Sequence, residues 1–487
     1  MFGRPPPPPS RPSVPRLTVR HYCQGLGDCH LLTFAKADGD AFHLLIDCGI
    51  HGSVSGGAAL MDAVVADIAS VTQRIDVLVV THEHVDHLSA FLSAADRFAH
   101  LTVGEVWMGW TENPRDEQAR RLDHFRTEAS AALAKVGQRL HAETALAPHL
   151  AGVRDGIDAV LGFQFGAAGE KVRAARDAAA ALATRGVRYL EPSSGTLALD
   201  GVADWRVYVL GPPRDEKMLR ITQRTSEMYG LAGTNPALST LQGGLGLVPG
   251  DGIPGADPGA PFDDGVGLPL DRMLAPAAPA PAPAPQGTAE QAVADILATH
   301  YSGNDPSWRR IDHDWLALGG SLALQLDDCT NNTSLVLAFE SVATGRVFLF
   351  TGDAQIGSWL SWQDLAWTIG STRVTGPDLL ARTVFYKVGH HGSHNATARA
   401  KGLALMGNPD LTAFVPTNQA DARKVRWNEM PFQPILDELD RRTQGRTVRA
   451  DGEAAAGREP LPGARAPTGA IRAARGKPGL WVEFDLA

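Results

Sequence analysis

Cysteine is scarce: there are four in 487 residues, at Cys23, Cys29, Cys48 and Cys329. No two have Cys-x-x-Cys spacing, so no disulfide framework is encoded, and buried thiols in a reducing cytoplasm are expected. Long apolar runs are missing too. No stretch approaches the roughly 18 residues that a membrane helix needs, so a cytoplasmic chain without membrane contact is expected. Basic residues are in deficit, with 45 Lys and Arg against 54 Asp and Glu, a net charge of -9. That argues against a strong nonspecific nucleic-acid binder, because counterion release needs clustered cations. It leaves room for a nuclease, whose metal ions can supply local positive charge. No aromatic-rich platform for single strands is evident. Met1 to Arg16 is proline-rich, with Arg4, Arg11 and Arg16 and no apolar segment of the secretory kind. It is expected to be a disordered tail (residues 1–16), and proline-rich segments of this kind are candidate contacts for a protein partner.

What is present is a core-forming composition, 44% hydrophobic. Leu17 to Tyr22, Cys29 to Phe34 and His43 to Ile46 read as strands, Ala58 to Ala69 as a helix, and Ile75 to Val80 as a strand buried on both faces. Residues 17–114 make the first half of the domain. Residues 115–186 are rich in Ala, Arg, Glu and Leu with helical periodicity. They are expected to form a helical insertion of three helices, about 116–141, 148–163 and 169–185, stopped at Gly186 and serving as a lid or a wall. Strand texture returns in 187–230. Residues 231–288 form a Gly/Pro/Ala-rich linker ending in the Ala-Pro run Ala275 to Pro285. Residues 289–487 make the second half, with strands at Ser334 to Phe339, Arg346 to Phe350, Thr383 to Val388 and Leu480 to Phe484, and a helix near Gln433 to Arg442. The fold class expected is α/β, a four-layer αββα sandwich assembled from two halves.

Chemistry concentrates in three places. Thr81-His82-Glu83-His84-Val85-Asp86-His87 follows a buried strand directly. Imidazoles two apart can converge on one cation while Asp86 and His87 face a second. Thr351-Gly352-Asp353 also follows an apolar strand, where a carboxylate can reach in and bridge two cations. Gly389-His390-His391-Gly392-Ser393-His394 places two histidines between glycines, the mark of close backbone approach to a ligand.

In this order the three pieces resemble the metallo-β-lactamase superfamily, and more narrowly the hydrolase domain of ComEC-type DNA-uptake proteins and their stand-alone relatives. Gly25-Leu26-Gly27-Asp28, Leu45-Ile46-Asp47-Cys48-Gly49, Asn331-Asn332-Thr333-Ser334-Leu335-Val336-Leu337 and Tyr386-Lys387-Val388-Gly389-His390-His391-Gly392-Ser393 carry the narrower likeness. The resemblance implies one metal on His82, His84 and a third ligand. A second would sit on Asp86, His87 and His390, with Asp353 bridging. Asp47 would brace the metal loop from behind the ligands, and Asp28 would shape the pocket floor. There are two departures. Asn331 and Asn332 stand where many members carry a histidine, so Asn331 is either a weaker ligand or a substrate contact. Glu429-Met430-Pro431 stands where the subgroup often has His-Pro, leaving His394 as a substitute proton donor.

The expected cofactors are two divalent metal ions, zinc first and manganese second, sharing a hydroxide that Asp86 orients as nucleophile. Lys387, His391 and Ser393 are near enough in sequence to contact an anionic substrate, and Lys387 can equally be structural. The function expected is a phosphodiesterase or nuclease on DNA or RNA. Modest support comes from Arg441, Arg442, Arg446, Arg449, Arg458, Arg465, Arg472 and Arg475. The alternative is a hydrolase of small esters, thioesters or lactones on the same site.

Overall fold

The computed structural model describes residues 16–142, 148–161, 170–221, 292, 295–296, 318–425, 427–451, 470–473 and 479–486. Most of the N-terminal tail and the whole 231–288 linker expected from sequence lie outside the described residues. Among those described, residues within 1–127, 160–234 and 325–487 form one compact unit, and residues within 128–159 and 235–324 a second. In the second, Val136, Leu140, Leu150, Ile157 and Leu322 are buried.

The first unit is mixed α/β, built on two large sheets and compatible with an α/β sandwich. Ordered across the first sheet are β16 (Ala470–Ala473), β17 (Trp481–Leu486), β1 (Leu17–Tyr22), β2 (Cys29–Ala35), β3 (Ala41–Cys48), β4 (Arg74–Val80), β5 (Thr102–Gly109) and β6 (Val187–Leu190). The second runs β15 (Thr447–Arg449), β14 (Thr412–Val415), β13 (Thr383–Lys387), β10 (Val347–Phe350), β9 (Val336–Ser341), β8 (Val202–Gly211) and β7 (Thr196–Leu199). A two-stranded ribbon, β11 (Ala366–Ile369) with β12 (Thr372–Thr375), stands apart from both.

Alternation along the strands divides the apolar side chains between two faces. Leu32, Phe34, Leu44, Ile46, Val77 and Val79 of the first sheet share one core with Val207, Val209, Leu337, Phe339, Phe348 and Phe350 of the second. Each contributes roughly 1.5–3 kcal/mol by leaving water. Leu31, Leu45 and Leu78 pack the other way, against Met61, Val64 and Ile68 of the helix Gly57–Val71. On the second sheet Leu349 and Tyr386 meet Trp359, Leu379 and Leu439 from short helices.

Between β5 and β6 lie helices Glu117–Ala142, Pro148–Val160 and Glu170–Ala181. The strand β5 escapes a periodicity reading because Gly104 and Glu105 interrupt its apolar run. No helix of the described residues is long and apolar enough to cross a membrane.

What positions the site is strand direction. β3, β4, β5 and β6 are mutually parallel, as are β10, β13, β14 and β15. The three candidate metal motifs each leave the carboxyl end of one of these strands, β4, β10 or β13, where parallel sheets open a crevice for ligands.

Candidate metal centre

All six residues from Ile75 to Val80 are buried, so β4 delivers its following loop into the protein rather than onto the surface. Asp47, near the end of β3, then fixes that loop at both ends. Its carboxylate accepts from the Thr81 amide at 2.8 Å and the Thr81 hydroxyl at 2.7 Å, and its Oδ2 lies 2.8 Å from His87 Nδ1. Asp47 does this from a left-handed backbone, φ 54°. Strain of that kind persists where surrounding contacts over-determine it. With Nδ1 committed to Asp47, His87 presents Nε2 to Asp353 Oδ2 at 3.3 Å and Asp86 Oδ2 at 3.6 Å. Gly27, at φ 134°, lets the neighbouring loop come close: a Cβ there would lie 2.5 Å from the carbonyl oxygens of Asp86 and Gly49.

Asp353 follows Gly352, whose φ is 53° and where an added Cβ would lie 3.0 Å from the side chains of Ser334 and Thr81, too tight for a larger residue without displacement. The His390 amide donates to Asp353 Oδ1 at 2.8 Å. Oδ2 is thereby left facing His87 and, at 3.9 Å, His391 Nε2. Among the described residues three buried groups could hold a cation, His82 with His87 and Asp353, Asp86 with Asp353 and His391, and Asp28 with Asp47 and His87. Within each, the ligand atoms all lie within 4.8 Å of one another. Asp353 belongs to the first two, and His87 to the first and third.

Buried polar atoms without a hydrogen-bond partner are rare and need explaining. Here both carboxylate oxygens of Asp86, Oδ2 of Asp353 and Nε2 of His87 are such atoms, crowded into one place. A cation answers all of them, so the donor set fits divalent metal ions. The electrostatics agree in part. Burial pushes the carboxyl groups of Asp86 and Asp353 up, yet neighbouring histidines, with Lys387 also beside Asp353, hold both below the usual carboxylate range. Burial drives His82 well below its ordinary value and His84 down to about 3. For His87 and His391 the neighbouring carboxylates outweigh burial and raise the imidazole, so each must give up a proton to bind a cation.

His82 and His84 lie side by side, Nε2 to Nδ1 at 3.0 Å. The glycine-flanked pair differs from expectation. His391, expected to touch substrate, places Nε2 3.0 Å from Asp86 Oδ2, inside a ligand group. His390, expected to ligate, turns its ring to Asn331 Nδ2 at 3.1 Å and Ser393 Oγ at 2.7 Å. Both have positive φ, 42° and 53°, and their rings diverge to 6.1 Å between centroids. Adjacent identical residues on such a kink carry no sequence signal for which one faces the site. His391→Ala is therefore expected to reduce bound metal and lower turnover by at least about a hundredfold. His390→Ala should keep its metal. Metal content of the two purified variants checks this, and the reverse ranking would refute it.

Asn331 thus meets His390, while Ser393 Oγ also bonds Asn395 Oδ1 at 2.8 Å. Ser393 supports His390 and is 2% exposed. Lys387 is buried as well. It is 1% exposed, forms an ion pair with Asp28, donates to the Gly352 carbonyl at 3.1 Å and lies 3.7 Å from Asp353 Oδ1. Asp28 also lies 3.8 Å from His87 Nδ1, beneath the loop. His394 packs against Phe432. The basic C-terminal segment offers less to a polyanion than its letters promise. Arg441 and Arg442 pair with Glu438, Arg449 with Asp451, and Arg446 donates to the Leu411 carbonyl. Arg458, Arg465 and Arg475 lie outside the described residues.

Sequence reasoning missed Trp427, whose ring lies 5.4 Å from both His391 and His51, and the arginines that meet Glu83. Both contacts join segments too distant in sequence to signal each other. Cavities of about 510 and 430 Å³ open in the same unit, the first lined in part by Glu112, Arg126 and Arg176, and none of the candidate ligands lines either. No protein-family model matches the chain, and no curated protein matches it.

Proposed function

We propose that this chain is a di-metal-dependent hydrolase of the metallo-β-lactamase fold, a four-layer αββα sandwich, acting on phosphodiesters, with DNA or RNA as the first substrates to test. The observation that carries the reading is the sharing of Asp353 between two buried ligand groups. His82 and His87 would hold one divalent cation with Asp353, and Asp86 and His391 the other, with His84 beside the first. Zinc suits the imidazole and carboxylate donors, and manganese is the second choice. Bound there, the two cations would supply Lewis acidity toward a phosphoryl oxygen and a lowered pKa for water. The protein's own part is to hold the carboxylates ionised and all of those donors correctly turned. Asp47 and the His390 amide do the turning. Cytoplasmic action, and a protein partner met through the proline-rich segments, belong to the same proposal.

Hydrolysis of small esters, thioesters or lactones is the second reading. It is favoured by the internal pairing of Arg441, Arg442 and Arg449, which leaves no track of these arginines for a polyanion. Labelled single-stranded DNA, duplex DNA, RNA and bis-p-nitrophenyl phosphate, each with manganese or zinc, separate the two. Wild type should cleave at least one phosphodiester and Asp86→Ala none. Protein shown to hold two metals that cleaves only carbonyl esters would move the assignment to the second reading. Equal turnover by Asp86→Ala would remove the site altogether.

A further inference from the structure

The residue between the first two motif histidines is itself engaged. Glu83 is 7% exposed, and its carboxylate meets two guanidinium groups. Arg126 Nη1 lies 3.1 Å from Glu83 Oε2, and Arg176 Nη1 lies 2.5 Å from Glu83 Oε1. The same two arginines also hold Glu112. Arg126 reaches it at 3.3 Å and Arg176 at 3.3 Å. Two cations and two anions thus close a largely buried ring in which Nη1 of each guanidinium meets both carboxylates, and Arg126 Nη2 adds a second contact to Glu112 at 3.5 Å.

The anchorage of the ring is unequal. Glu112 ends the short turn Trp110–Glu112 that directly follows β5, the neighbour of β4, and accepts from the Thr111 hydroxyl at 3.2 Å. Arg126 comes from helix Glu117–Ala142 and Arg176 from helix Glu170–Ala181. Glu83 is the member on the metal loop, flanked on each side by a histidine of the candidate centre. Two carboxylates this close repel each other, and the guanidinium groups between them offset that repulsion. Without the guanidinium groups Glu83 loses the contacts that hold it beside Glu112, and the loop that carries His82 and His84 loses that anchor.

We infer that Arg126 and Arg176 are positioning residues for the metal centre, and that the helices carrying them, between β5 and β6, buttress the metal loop through Glu83. This rests on the metal reading above and adds to it a task for the helical stretch other than that of a lid.

The test uses the full chain loaded with cobalt(II), whose visible absorption reports ligand geometry with no substrate present. Arg126→Met and Arg176→Met are expected to raise the cobalt dissociation constant about 10- to 100-fold, the usual cost of losing support behind a ligand, and to alter the band shape. Arg126→Lys should restore affinity only in part, because a single ammonium lacks the second contact that Arg126 Nη2 makes to Glu112. Should the methionine variants fail to fold, Glu83→Gln keeps the side-chain volume, removes the charge the ring holds, and is read the same way. Wild-type affinity and spectrum in folded variants would overturn the inference while leaving the hydrolase reading intact. A wild-type chain that takes up no cobalt would overturn both.

Discussion

Asp353→Ala is expected to disable the two ligand groups that share it, lowering hydrolysis by at least about a thousandfold, which is several kcal/mol of transition-state stabilisation. Asp86→Ala, by contrast, strips one group only. The difference follows from the position of Asp353 at the carboxyl end of β10, where one carboxylate serves His82 and His87 on one side and Asp86 and His391 on the other. Alanine also removes the acceptor for the His390 amide, so lost activity by itself would be ambiguous. Asp353→Asn resolves this, since an amide oxygen can keep that hydrogen bond while the charge is gone. The asparagine variant should stay folded, with the far-UV circular dichroism spectrum of the wild type, yet bind fewer than two metals. Two equivalents of metal retained by both variants would show that Asp353 does not bridge.

The second large effect concerns stability. Asp28 and Lys387 form an ion pair with side chains 3% and 1% exposed. Stranding one partner of such a pair typically costs about 3–5 kcal/mol, because the remaining charge has lost both water and its counter-ion. Asp28→Ala leaves Lys387 with the Gly352 carbonyl and a carboxylate 3.7 Å away. Lys387→Met leaves Asp28 beside His30 at 3.6 Å. Each single variant should lose stability in that range, and the double variant should lose less than the two together. Denaturant unfolding measures all three, and single losses below about 1 kcal/mol would show the pair to be dispensable.

The pair also sets a pH window. Burial pushes Asp28 up, but Lys387 and His30 hold it well below the ordinary carboxylate value. Its contribution is therefore complete above about pH 4 and fades as pH falls toward the depressed value. Burial lowers Lys387, but Asp28 and Asp353 raise it above its ordinary value. That contribution is complete below about pH 10 and is lost as pH rises through the raised value. Stabilisation by the pair spans the interval between.

These features differ in how far the sequence reveals them. β4 is legible because a run of apolar residues with no polar face has to be covered on both sides, and β1 because its alternation is regular. The metal motif is legible because its spacing and its place after a buried strand coincide. The roles of His390 and His391 are not, since they depend on two backbone torsions that the letters do not encode. Lys387 reads equally as an anion contact and as a structural lysine until Asp28, just before β2, supplies a partner. Arg126 and Arg176 look like ordinary charged positions on amphipathic helices. Only the fold shows that the helices converge on Glu83.

The pairing of β1 with β17 bears on how the chain is made. Leu17 to Tyr22 lie opposite Leu486 to Trp481 in antiparallel register. At about 5–20 residues per second, ribosomal synthesis separates those two strands by roughly 25–90 s. Through that interval β1 can pair with β2 but has an open edge on its other side, and an unpaired edge invites the wrong neighbour. The nascent chain is consequently most prone to mispairing between the emergence of β1 and the arrival of its final strand. Expression conditions that slow late elongation should therefore lower the soluble yield more than conditions that slow initiation.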